Sequence, residues 1–415
     1  MSVIESLRRA GEGAHERLES TPFAKSLLEG RVERQRYLDY LRAIAIIVDS
    51  LRTQTRLYGT ASQRTVFECA ADWSERLAAD LAHLGAGSQA RNHPAHVSAL
   101  AFVDQLQRRF TDGSAFPLGV AYVLTGSHRG HRSIANKIKA ALALPDDKGI
   151  RFMSATRGQG EGPWKAFLAL LERELQGPSA VAEAMEGVRA TYAVFEEILT
   201  ALGEDTTHAL HVSALNPEAG NHPIPQDPEI VSLAVTVAEE ATAAFPYLDF
   251  RYRQRGHRFA RSDSAWLVTL AEYGPESAQR QIEWLAGVLA TRGMPTIVLE
   301  HHLRLLAEAL DRARREDTGA RLHQLADHVA RHRSDELLSR CSPGRVEVPE
   351  LGEDVGRLLA CAVVDQHAGI GACAKNIATW AQAEPGLSDA AKQAIEAALE
   401  HATGVMDLVT DPESR

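Results

Sequence analysis

The sequence predicts an all-α protein built from two helical domains. Three observations lead there. Apolar residues recur at spacings of three and four along most of the chain, the period of a helix with one buried face. Ala and Leu dominate while aromatic residues make up only 6%, a composition that favours helix over sheet. No run of alternating β-branched residues of strand length stands out in either half. At 415 residues, with 45% hydrophobic and 24% charged residues, the chain exceeds one ordinary core and supplies two.

The first periodic stretch spans residues 7–23. Leu7, Gly11, Ala14 and Leu18 share a face, which predicts one amphipathic helix with His15 at the edge of that face, pointing inward among small neighbours. A neutral imidazole there can ligate a metal or a haem iron, its other nitrogen held by an acceptor such as Glu19. The position equally suits an ordinary core histidine. Further on, Leu77, Leu81 and Leu84 mark one face of a helix that starts near Trp73. Loop signals at 85–88, 112–114 and 145–149 punctuate the pattern. Gly126 and Gly130 are four apart and share one side of a helix, where absent Cβ atoms admit a flat ligand or a neighbouring helix.

Four prolines fall between Asn216 and Pro228, which predicts a linker at 211–228 between domains at 1–210 and 229–415. Periodicity resumes at Glu229 and continues to Val409, with breaks near Pro246, Pro275, Pro295, Pro343 and Pro385. No internal repeat of fixed period is visible.

The formal charge of −10 argues against a nucleic-acid surface or an anionic membrane as partner. No apolar run has the length of a membrane span. Arg8 and Arg9 precede no apolar core segment, so no signal peptide is expected. Cys69, Cys341, Cys361 and Cys373 lack zinc-finger spacing, and the expectation is a cytoplasmic protein with reduced thiols. A homodimer remains open.

Several segments of the first half, in order, resemble bacterial biliverdin-producing haem oxygenases: residues 7–23, 27–31 and 37–41, then 119–131 (Gly-Val-Ala-Tyr-Val-Leu-Thr-Gly-Ser-His-Arg-Gly-His), then 160–167 and 188–195. The likeness covers roughly residues 5–205. It implies a haem-oxygenase-like domain that takes haem b as substrate and cofactor, with His15 as proximal iron ligand. It also makes residues 119–131 the distal helix, with Gly126 and Gly130 against the haem and Ser127 ordering water for proton delivery. His131 stands where the family often has a second glycine. An imidazole there can hydrogen-bond dioxygen, block the iron, or face solvent.

Arg8 matches a basic position of the family suited to a haem propionate, with Lys165, Arg173 and Arg189 as further cations. Tyr192 and Phe195 are expected to line the pocket. The implied reaction opens haem to biliverdin, iron and CO with O2. The chain has no Gly-x-Gly-x-x-Gly fingerprint, so electrons would come from an external reductase or ferredoxin. A haem- or bilin-binding sensor with little turnover is the other class. Some haem-oxygenase-like proteins resemble di-iron oxidases, and Glu12, His15 and Glu19 offer ligands from one helix. Glycines stand where the distal helix would need its own ligands.

Residues 245–252, 255–267, 282–289 and 292–306 resemble globin-like helical modules that accompany cobalamin-binding domains in light sensors, some of which hold biliverdin. This implies a second, globin-like domain able to bind biliverdin. Arg258, Asp263, Trp266, His301, His302 and Arg304 would supply its cations, aromatic and nitrogen partners, although they suit a solvated face equally well. Residues 365–371 approach the cobalamin pattern Asp-x-His-x-x-Gly, but Ile370 replaces its glycine and no cobalamin site is expected. Cys361 and Cys373 lie near His367 and read as bilin attachment points or as buried structural thiols.

Overall fold

The first periodic stretch folds as three helices rather than one: α1 (Val3–Ala10), α2 (Ala14–Ser20) and α3 (Pro22–Glu29). Gly13 breaks it at φ +72°, a left-handed conformation that suits a residue without Cβ. Gly11 lies beside the ring of Tyr192, whose Cε2 would be 2.6 Å from an added Cβ. Thr21 then caps α3, accepting from the Ala24 N–H at 3.3 Å, with Pro22 at the first helical position. This break corrects the expected orientation of His15. Ala14 faces the core at 5% exposure, while the side chain of His15 beside it is 70% exposed.

In the computed structural model the described residues are 2–68, 72–85, 93–127, 131–154, 161–204, 212–220, 222–344 and 346–410. The protein is all-α, with no strand among the described residues. It divides into two compact units, Met1–Leu215 with Gln226–Ser232, and Asn216–Pro225 with Leu233–Arg415. The proline-rich segment is therefore shared between them, and its Asn216 and Ile224 are buried.

In the first unit, the long α4 (Arg34–Tyr58) is central, with Leu41, Ile44, Ile47 and Leu51 buried. It packs against α5 (Ala61–Phe67), α6 (Trp73–Gly85) and α7 (Pro94–Thr111). Then come α8 (Phe116–Ser127), α9 (His131–Ala141), α10 (Glu161–Glu174), α11 (Pro178–Ala201) and the short α12 (Val212–Leu215). Helices α8 and α11 meet backbone to backbone. A Cβ on Gly119 would collide with the Ala184 carbonyl, and one on Gly187 with the Phe116 carbonyl.

The second unit holds residues 233–243 of α13 (Pro228–Ala243), then α14 (Pro246–Thr269), α15 (Pro275–Thr291), α16 (Thr296–Arg312) and α17 (Glu316–Ala330). It ends with α18 (Asp335–Cys341), α19 (Val355–His367), α20 (Cys373–Ala383) and α21 (Asp389–Thr410). Prolines at 246 and 275 open their helices, as a residue without an N–H donor can do at no cost. Buried Asp365 on α19 accepts from the Thr296 N–H at 2.6 Å, the Thr296 hydroxyl at 2.7 Å and His332 Nε2 at 2.7 Å. Its carboxylate is thus committed to starting α16. Cys341, Cys361 and Cys373 are buried, and burial pushes the Cys361 thiol up to about 12, so it is no thiolate at neutral pH. No described helix is long and apolar enough to cross a membrane.

Gly119→Ala should destabilise the chain by ~3 kcal/mol, because the added methyl meets backbone that cannot yield. Gly162→Ala on α10, with nothing within 4 Å, is the control and should leave stability unchanged or higher. Urea denaturation of both variants checks this; equal stability of the two would contradict the close contact.

Candidate functional site

A cavity of about 590 Å³ opens in the first unit, bounded by α2, α3, α4, α8, α9, α10, α11 and the loop at 152–153. His15 and Glu19 line it from α2, with His15 Nδ1 3.5 Å from Glu19 Oε1 one turn later. Gly126 and Ser127 line it from α8, and Tyr192, Phe195 and Leu199 from α11. Gly126 differs in kind from Gly119. Only Trp164 comes within 4 Å of an added Cβ there, at 3.4 Å, so Gly126 faces the cavity and not a neighbouring helix backbone. The Trp164 ring sits 6.0 Å from Tyr122 and is stacked on Phe167 at 5.6 Å. The Ser127 hydroxyl donates to the Leu124 carbonyl at 2.8 Å, which leaves its oxygen as an acceptor.

A more polar recess of about 720 Å³ shares His15, Tyr122 and Tyr192 with this cavity and adds Arg8, Arg9 and Glu12. Burial raises the Tyr122 phenol and the charge of Arg8 opposes the rise. Tyr40, also on the cavity wall, is pushed up to about 12 by burial. These phenols are therefore protonated donors at neutral pH. Buried Asp80 on α6 shapes the remaining wall. It accepts from the backbone N–H groups of Gly149, Arg151 and Phe152 at 3.0, 2.9 and 2.8 Å, which holds Phe152 and Met153 against the cavity. Burial raises its carboxyl and those three bonds oppose the shift.

Not every expected residue converges here. Lys165 and Arg189 are exposed and line neither the cavity nor the recess, and Arg173 pairs with its neighbour Glu174 at 2.8 Å. Gly130, with His128 and Arg129, lies outside the described residues, as does the side chain of His131 at the start of α9. Among the described residues no three His, Cys, Asp or Glu side chains are grouped to hold a metal ion, so the di-iron ligand set is not assembled there. Tyr40, Phe152 and Met153 were not singled out by sequence. They come from a helix and a loop whose patterns read as plain core.

The second unit has a cavity of its own, of about 380 Å³. Of the residues expected to act there, Asp263 and His302 line it. The others do not. Arg258 donates to Glu218 at 2.9 Å, Trp266 packs against Trp284 at 6.2 Å, and His301 sits edge-on to Phe245 at 5.4 Å. Arg304 pairs with Glu300 at 2.8 Å and Asp327 at 3.0 Å. The cations on this cavity are instead Arg251, Arg255 and Arg292, which periodicity alone reads as ordinary solvated arginines. Burial pushes Asp263 up to about 7 against the pull of Arg292, and pushes His302 down to about 4, leaving a neutral imidazole.

Residues 1–201 match the family model described as Heme oxygenase. The match ends before the second unit. Among solved structures, the chain is similar to heme oxygenase-2 from Synechocystis sp. PCC 6803 in complex with heme and NO, at 19% identity and TM-score 0.43, covering 49% of this chain and 85% of that one. It is also similar to a heme oxygenase from Leptospira interrogans, at 20% identity and TM-score 0.41, covering 48% of this chain and 99% of that one. No curated protein matches the chain.

Because its folded carboxyl is raised, Asp263 binds more protons in the folded than in the unfolded state between its ordinary range and about pH 7. Stability contributed by this site therefore falls as pH rises through that window. Asp263→Asn should raise the urea midpoint at pH 8 and leave it nearly unchanged near pH 4. A shift of equal size at both values would show that the carboxyl is not held up by burial.

Proposed function

We propose that the first unit binds haem b in its 590 Å³ cavity with His15 as iron ligand, and opens it to biliverdin, iron and CO. O2 and electrons from an external reductase or ferredoxin complete the reaction. The observation that carries this reading is that one cavity, inside the residues that match the family, is lined by both His15 and Gly126. Haem supplies the oxygen-binding iron and the macrocycle that is cut. The protein's part follows from its side chains. Glu19 Oε1 stands 3.5 Å from His15 Nδ1, and a bond there would keep Nε2 as the nitrogen for iron. Gly126 provides a wall on which a flat face can lie. Arg8 places a guanidinium in the adjoining recess for a propionate, and the Ser127 oxygen can accept from an ordered water.

The reading extends to the second unit, which in this scheme captures the biliverdin product. Attachment in one chain raises the local concentration of acceptor over that of a separate protein. Asp263 and His302 on its cavity support this extension by offering partners for pyrrole nitrogens.

Haem titration followed by reductant under air tests the proposal. The parent chain should convert ferric haem to a bilin spectrum with CO release. His15→Ala should lose the histidine-ligated spectrum and turnover, with partial rescue by imidazole. Gly126→Leu should keep ferric haem binding and lose most turnover. An unchanged haem spectrum in His15→Ala removes the proposal, and a stable ferrous haem in the parent favours the sensor.

A further inference from the structure

The second unit contains a built site whose chemistry stands apart from the haem cavity. Its 380 Å³ lies within the range of small-molecule pockets, about 300–1,000 Å³, and its body is apolar, formed by residues such as Leu248, Leu267, Leu285 and Val298. Three arginines, Arg251, Arg255 and Arg292, line the cavity. Arg292 and Arg255 are exposed and both lie over the Phe259 ring, at 5.5 and 5.4 Å. Arg251 is half-buried, 4.7 Å from the Trp380 centroid and 5.1 Å from that of Tyr252, and donates to the Tyr247 hydroxyl. That hydroxyl in turn donates to the Gly293 carbonyl at 2.6 Å.

Arg255 is paired with Glu218 at 2.8 Å. Among the described residues no carboxylate stands within ion-pair distance of Arg251 or Arg292. On the buried side His302 is 8% exposed, and its Nε2 has no hydrogen-bond partner. A buried unpaired nitrogen is costly and calls for a ligand or a water. The backbone adds a further sign. Arg253, between Arg251 and Arg255, interrupts α14 at φ 47° and ψ −146°, a region that strains a residue with a side chain. Strain of this kind persists where the surrounding structure holds it, often at ligand sites.

From these features we infer that the cavity binds an amphipathic organic carboxylate, its apolar body among the leucines, its carboxylate on Arg251 and Arg292, and a polar atom on His302. Guanidinium pairs of this type give geometric as well as electrostatic selection. Two sources share the carboxylate and the apolar body, a bilin made by the first unit and a fatty acid, and only the bilin also carries a polar atom for His302. The inference rests on the second cavity alone and does not require the first unit to turn over haem. Asp263 also lines the cavity and opposes an anion when ionised, so its neutral form favours binding.

Calorimetric titration of the full chain with biliverdin and, separately, with hexadecanoate below its micelle concentration tests the inference. At least one should bind saturably. Arg251→Gln combined with Arg292→Gln should weaken that binding at least about tenfold. His302→Leu should weaken binding of a ligand that carries a second polar group. Arg292→Gln alone, at an exposed position, gives a reading if the double variant fails to fold, and helical circular dichroism monitors all of them. Binding of biliverdin alone identifies the first unit's product as the source. Binding of hexadecanoate alone supports this site and ends the capture reading. Absence of saturable binding by both, or affinities unmoved by Arg292→Gln and His302→Leu, overturns the inference.

Discussion

Helices α8 and α11 touch backbone to backbone at Gly119 and Gly187, and both helices wall the cavity of the first unit. One helix carries Tyr122, Gly126 and Ser127 along the cavity, and the other carries Tyr192, Phe195 and Leu199. With two carbonyl oxygens standing where side chains would otherwise be, the helices have no freedom to slide, so these two walls keep a fixed register. Tyr192 then limits α1 and α2 from the other side, because its ring fills the space beside Gly11. The left-handed break at Gly13 lies just after Gly11, and beyond it His15 is exposed on the cavity edge. A single continuous helix would have turned the imidazole elsewhere.

The second unit solves a different problem with similar means. Its cavity is largely apolar, yet it keeps a neutral imidazole and two guanidinium groups, Arg251 and Arg292, with no carboxylate at ion-pair distance among the described residues. Asp365, which opens the segment that approaches the cobalamin pattern, is spent on fixing the start of α16 and on His332. The charged and imidazole groups of the cavity therefore come from α14, α16 and the turn after α15, and α14 is interrupted by a kink at Arg253 between two of them.

Much of this was legible in the sequence where a physical rule acts locally. Proline and glycine marked the helix starts and stops of the second half, since Pro246, Pro275 and Pro295 each stand at the opening of a helix. The small-residue position at Gly126 was legible as a candidate wall, although sequence could not separate it from Gly119, whose role is packing. The orientation of His15 was not legible, because a left-handed glycine resets the phase of the helical pattern without changing its period. The arginines of the second cavity were missed for a related reason. Arg251, Arg255 and Arg292 read by sequence as solvated residues, and they reach a common cavity from α14 and from the turn after α15, which no local pattern links. Arg258, His301 and Arg304 were plausible by type, but each is engaged elsewhere, by Glu218, Phe245 and Glu300.

The crystal structure of the full chain grown with ferric haem addresses the central assignment most directly. Ligation by His15 predicts density for one haem in the first unit, with the imidazole Nε2 bonded to iron, one face of the macrocycle against Gly126, and Arg8 within ion-pair reach of a propionate. Iron bound by any other side chain, or haem found in the second unit alone, would contradict it.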